Sequence, residues 1–145
     1  MSHVHVVSLQ EVEKEHAAVQ AALEYLGDRW SAVSNDPDLM ALTLPDLRRA
    51  RQNLQRTYLM RVFARFEALV RDALGTAGLS RRIPRTADAL IRRAGSHWRV
   101  TDVLREDVHR VREFRNQIVH ERPPSEFLTL RDAVRFLSRF LVFIP

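Results

Sequence analysis

Apolar residues recur at three- and four-residue spacing along almost the whole chain, so the pattern predicts helices and no convincing strand. His3 to Val7 alternates histidine and valine and reads as a short extended, mobile lead-in. Ser8 then caps a first helix, with Glu11 three residues on, and Leu9, Val12, His16, Val19, Leu23, Leu26 and Trp30 carry its stripe to about Ala32. Two prolines and an Asn-Asp pair make Ser34 to Pro45 a loop. A long helix follows from Pro45 to Leu74, stopped by Gly75 and Gly78, with Met60, Phe63, Val70 and Leu74 on one face. Thr86 to Ala94 is a short helix turning Leu90 and Ile91 inward. Thr101 caps the next, whose stripe is Leu104, Val108, Val111 and Ile118, and Pro123 and Pro124 end it near His120 or Glu121. A last helix begins at Ser125, with Phe127, Leu130, Val134, Leu137 and Leu141 on one line and Ala133, Phe136, Phe140 and Phe143 on another. A face that wide either runs through the core or covers a dimer interface. The expected fold is all-α: an up-and-down bundle of four to five helices, dimerising, in a single domain over residues 1–145.

Composition narrows the chemistry. With 46% hydrophobic residues, 28% charged residues and only four glycines, the chain is suited to one folded helical core. It has no cysteine, which excludes disulfides, thiolate zinc sites and thiol catalysis. His3 and His5 lack a third ligand nearby, and His16 reads as a packed or edge histidine, so no metal or other cofactor is expected. No cationic leader and no apolar run of about 18 residues is present, which points to a cytoplasmic protein without a membrane partner.

The net charge is +5, from 22 arginines and the single Lys14 against 18 acids. Arginine's planar fork suits phosphate, so RNA is the expected partner. Genomic base composition can also replace lysine by arginine, so the net charge carries more of this argument than the Arg-to-Lys ratio. The most basic stretch, Ser80 to Val100, which also carries Arg99, holds Arg81, Arg82, Arg85, Arg92 and Arg93 with only Asp88 in opposition. With Arg112 and Arg122 these are the candidate RNA contacts. Trp98, in the same stretch, reads better as a core plug than as a stacking platform.

One segment carries more than packing. In Arg112 to Pro124, Arg115 occupies the apolar stripe of its helix, as Glu67 does on the long helix, and each charge needs a partner there. The simplest solution pairs Glu67 with Arg115. An arginine, an asparagine and a histidine near a phosphate form a set able to cleave RNA without metal. His120 would move the 2′-hydroxyl or leaving-group proton, Arg115 would neutralise developing charge, and Asn116 would orient either. On an unbroken helix Arg115 and His120 stand roughly 140° apart, whereas Asn116 and His120 share a face.

The "RNQIVH" segment, an arginine with a histidine five positions later at the end of a helix, resembles the bacterial HEPN superfamily, and "FARFEALV" is similar to its long helix. The resemblance covers about Pro45 to the end. It implies a dimer that places two motifs in one cleft, and a metal-independent endoribonuclease of toxin–antitoxin, phage-defence or RNA-processing type. On that basis Arg115 and His120 would be catalytic, Asn116 supporting and Glu67 auxiliary, with a cognate antitoxin protein as a further partner. Where one HEPN subgroup has a tyrosine two residues after the histidine, this chain has Arg122, which separates it from that subgroup and its nucleotidyltransferase antitoxin. Two other readings stay open. One is a non-catalytic helical module that binds RNA, a nucleotide or a protein. The other is a purely structural dimer built on the Phe-rich last helix.

Overall fold

Thr43-Leu-Pro-Asp46 and Thr129-Leu-Arg-Asp132 start two of the helices that supply the core, and they do so in the same way. In each, the threonine hydroxyl accepts the backbone N–H of the aspartate, whose carboxylate accepts the threonine's own N–H, closing a capping box. The structure, a computed structural model, describes residues 2–79, 83–123 and 126–145, and over 2–4 the backbone alone. Six helical segments occur among them: α1 Ser2–Asp28, α2 Trp30–Val33, α3 Leu44–Leu74, α4 Ala87–His97, α5 Asp102–Val119 and α6 Leu130–Leu141. Among the described residues there is no strand.

The 31-residue α3, about 46 Å long at 1.5 Å per residue, packs against α1, α4, α5 and α6. Its exit is a π-helical turn over Gly75–Leu79, where Gly78 takes φ 77°, a left-handed conformation that glycine adopts without a Cβ penalty. Phe66 lies at the centre, 5.9 Å from the Phe63 ring and edge-on to Phe140 of α6 at 5.5 Å. Leu59, Val62, Val70 and Leu74 of α3, Leu9 of α1, Leu90 and Ile91 of α4, Val108 and Val111 of α5, and Leu137 and Leu141 of α6 are fully buried around it. Each such aliphatic side chain contributes roughly 2 kcal/mol of transfer free energy. The wide apolar face of α6 is therefore core. Trp98 packs partly buried against the same core, and its ring meets His97 edge-on at 5.1 Å.

Several boundaries differ from the pattern. α1 begins at Ser2, so the His-Val lead-in is helical: no glycine or proline interrupts it, and Val6 packs on the core with Leu9. Ser8 is interior to the helix, its hydroxyl accepting from Arg65 Nε at 2.7 Å. The helix breaks at Arg29 (φ −110°, ψ 15°), leaving the single turn α2, and there are six helical segments rather than five. Met60 is 39% exposed and off the buried face of α3. The last helix starts at Leu130, because the Thr129–Asp132 box outcompetes any earlier start. Phe127 consequently precedes the helix and Phe143 follows it, both exposed. Pro124 and Ser125 lie outside the described residues, as do Arg81 and Arg82. No helix among the described residues is long and apolar enough to cross a membrane.

Candidate nucleic-acid site

The end of α5 is fixed by three consecutive backbone amides. His120 N–H donates to the Asn116 carbonyl at 3.0 Å, Glu121 N–H to that of Ile118 at 3.2 Å and Arg122 N–H to that of Gln117 at 2.9 Å. The last two bonds form a Schellman motif, and Glu121 occupies its left-handed position with φ 52°. A glutamate there costs about 1 kcal/mol that glycine would not. Pro123 follows, as the sequence requires, and the helix stops at Val119 with His120 as its exposed cap.

Arg115 points the other way. Its guanidinium lies 5.8 Å from the Phe63 ring centroid of α3 and donates from Nη1 to Asn116 Oδ1 at 3.0 Å. The stripe position that looked wrong for a charge is occupied by a half-buried guanidinium resting on an aromatic face. Glu67 is not its partner. Glu67 is 4.0 Å from Arg71 one turn along α3, and no ion pair joins it to Arg115. Arg71 in turn donates to the carbonyls of Pro84 and Arg85, the latter at 2.9 Å, so Glu67 steadies the link between α3 and α4. The cation within ion-pair range of Glu67 is the i,i+4 arginine of its own helix, not one from α5. Arg115 and His120 remain on different faces, and Asn116 connects them, its side-chain oxygen serving one and its backbone oxygen the other.

Beside this helix end is a groove of about 850 Å³ lined by Arg51 and Arg56 of α3, Phe114, Ile118, Glu121 and Arg122 of α5 and its exit, and Phe127, with Arg51 already paired to Glu24 of α1 at 2.8 Å. Phe127 is 71% exposed, yet its ring is held edge-on by Phe114 at 6.1 Å, while Gln55 Nε2 donates to the Leu128 carbonyl at 3.1 Å and pins the segment. A fixed aromatic face among guanidiniums is a stacking surface. Sequence reasoning missed this groove, since Arg51 and Arg56 showed only as polar positions of a long helix and Phe127 was placed on a core stripe.

The predicted RNA contacts divide. Arg122 joins the groove, whereas Arg92 and Arg112 meet at the α4–α5 seam around Asp88. Arg92 is ion-paired with Asp88, Arg112 Nη2 is 3.9 Å from it, and His109 Nδ1 is 3.6 Å from it. Burial pushes the His109 imidazole below its ordinary pKa, the positive charge of Arg112 next, and Asp88 only partly opposes them. Arg85 is exposed, and Arg93 is half-buried with its Nε unpartnered. Away from these sites, His16 is an edge histidine, edge-on to Tyr58 at 5.3 Å. Among the described residues, no group of three or more histidine, aspartate or glutamate side chains is placed to hold a metal ion.

Compared with known proteins, the chain matches no protein-family model, no curated protein and no solved structure.

Proposed function

We propose that this chain is one half of a homodimeric, metal-independent endoribonuclease of the HEPN type. The observation that carries the reading is the close of α5, where Asn116 Oδ1 accepts from the Arg115 guanidinium and the Asn116 backbone carbonyl accepts from the His120 backbone amide, so that Arg115 lies on the last turns of the helix and His120 is its exposed cap. In the reaction, the 2′-oxygen of RNA attacks the adjacent phosphorus and the bond to the 5′-oxygen breaks. His120 transfers the proton that leaves the 2′-hydroxyl or the one that arrives at the 5′-oxygen, and Arg115 neutralises charge on the non-bridging oxygens. Since Arg115 faces α3 and His120 faces outward, one copy does not present both to one phosphate. A second copy supplies the complementary member. The groove at the α5 exit, with Arg56 and Arg122 beside the exposed Phe127 ring, supports RNA as the ligand. A toxin, phage-defence or RNA-processing role, with an antitoxin protein as partner, belongs to the same proposal.

The test is incubation of purified protein with structured RNA in EDTA. His120→Ala is expected to lose at least about 100-fold in cleavage rate, the range of a general acid–base group. Residual cleavage equal to that of the parent would sink the reading. The groove favours one alternative, a non-catalytic RNA-binding module. In that case Phe127→Ala and Arg122→Ala weaken RNA retention, while no preparation cleaves.

A further inference from the structure

The α4–α5 seam combines several donors with too few acceptors. Asp88, Arg92 and Gly95 stand at i, i+4 and i+7 on α4, and Arg105, His109 and Arg112 at the same spacing on α5. The helices meet along these two rows, Gly95 against Arg105 at one end and Asp88 against His109 and Arg112 at the other. Gly95 allows this close approach: a Cβ would press into Cδ and Cγ of Arg105, whose stem lies across the α4 backbone and would have to shift. Asp102 pairs with Arg105, and Glu113 lies 3.9 Å from Arg112, but both acids are at the rim, with side chains 82% and 55% exposed. Inside, Asp88 is the acceptor, and the Nε atoms of Arg105 and Arg112 are buried with no hydrogen-bond partner. Buried donors of this kind call for an acceptor.

We propose that the Asp88 end of this seam is a phosphate-binding site, separate from Arg115 and His120, in which Arg112 donates from Nε, Arg92 and His109 close the rim, and the anion takes over donors now facing Asp88. A phosphate group offers several oxygens in a tetrahedral arrangement, which suits guanidiniums converging from two helices better than a planar carboxylate does. Burial depresses the His109 pKa, and the positive charge of Arg112 beside it adds to that effect. The phosphate can be free or terminal, or part of an RNA backbone. The site does not depend on whether the chain cleaves RNA.

The experiment follows the arginine Nε–H resonances of the full chain by NMR during titration with inorganic phosphate, with a 5′-phosphorylated oligoribonucleotide, and with its 5′-hydroxyl counterpart, at matched ionic strength. The Arg92 and Arg112 signals are expected to shift, with the Arg105 signal at the Gly95 end as the internal reference. A response to the first two ligands alone assigns the site to phosphate monoesters, and a response to all three assigns it to backbone phosphates. Arg112→Gln is expected to weaken binding about tenfold, the loss of one charge-assisted hydrogen bond. Asp88→Asn, which removes the competing carboxylate, is expected to tighten binding several-fold. If none of the three ligands moves those resonances, or if Asp88→Asn destabilises the fold and phosphate restores nothing, the seam is structural and the proposal falls. Cleavage is not the readout, so failure here is distinct from failure of the nuclease reading.

Discussion

Two aspartates receive guanidiniums on α5, and they differ in how completely the network around them closes. Asp107, with its side chain 13% exposed, accepts from Arg110 Nη1 at 3.2 Å and lies 3.7 Å from Arg139 of α6. Arg110 goes on to bond Glu126 through Nε at 3.0 Å and rests 5.1 Å from the Phe136 ring centroid. Asp88, 33% exposed, faces Arg92, His109 and Arg112, while buried donors beside it stay unmet. The ratio of cations to carboxylates therefore does not separate the two networks. Donors left without acceptors do.

The comparison breaks most easily at Asp107. Asp107→Ala removes the mostly buried carboxylate that two half-exposed guanidiniums share, and is expected to lower stability by about 1.5 kcal/mol in denaturant melts. A loss no larger than that at an exposed pair would mean the two aspartates are equivalent. Arg110→Ala is expected to cost about 1 kcal/mol by the same measurement, and hydrogen exchange around Leu128 should rise as the segment held by Glu126 loosens. Asp88→Asn is expected to cost no more than about 0.5 kcal/mol, an effect that added phosphate should reverse in a thermal melt.

The gentlest test is pH. The folded-state pKa of His109 is depressed below its ordinary 6.5, so the folded protein takes up that proton less readily than the unfolded chain, and stability falls as pH drops through 6.5. His16 shifts in the same direction, by burial, and adds to this loss. Glu126 behaves differently: the Arg110 hydrogen bond lowers its pKa below 4.5, so its contribution persists above 4.5 and is lost only in stronger acid. His109→Gln should therefore flatten the melting-temperature profile between about pH 5 and 7, and Glu126→Gln should leave that window unchanged. An unaltered slope in His109→Gln would remove the seam's distinct electrostatics.

The sequence disclosed whatever local chemistry decides. Gly75 and Gly78 end α3, the Thr86 hydroxyl caps α4, and Pro123 follows the end of α5, because caps and breakers act within one turn, whereas Thr101 stands at the start of α5 without a capping bond from its side chain. Long-range pairing was not legible. Glu67 found Arg71 on its own helix, and Arg115 found an aromatic face, so two charges on apolar stripes did not imply each other. The groove escaped notice for the same reason, since Arg51 and Phe127 are brought together only by tertiary packing. The start of α6 was a local signal overlooked: Thr129 with Asp132 three residues on outweighs the apolar period that seemed to continue back through Phe127.

The contact between Gly95 and Arg105 bears on how this protein can change over generations. The two positions share one volume, so each sets the size allowed at the other. A methyl at 95 alone evicts the guanidinium stem, and a truncation at 105 alone leaves a furrow over bare backbone. The paired change, Gly95→Ala with Arg105→Ala, should be milder than the sum of its parts, a coupling measurable as a double-mutant cycle. In descendants of this sequence the two sites are expected to be inherited as one unit.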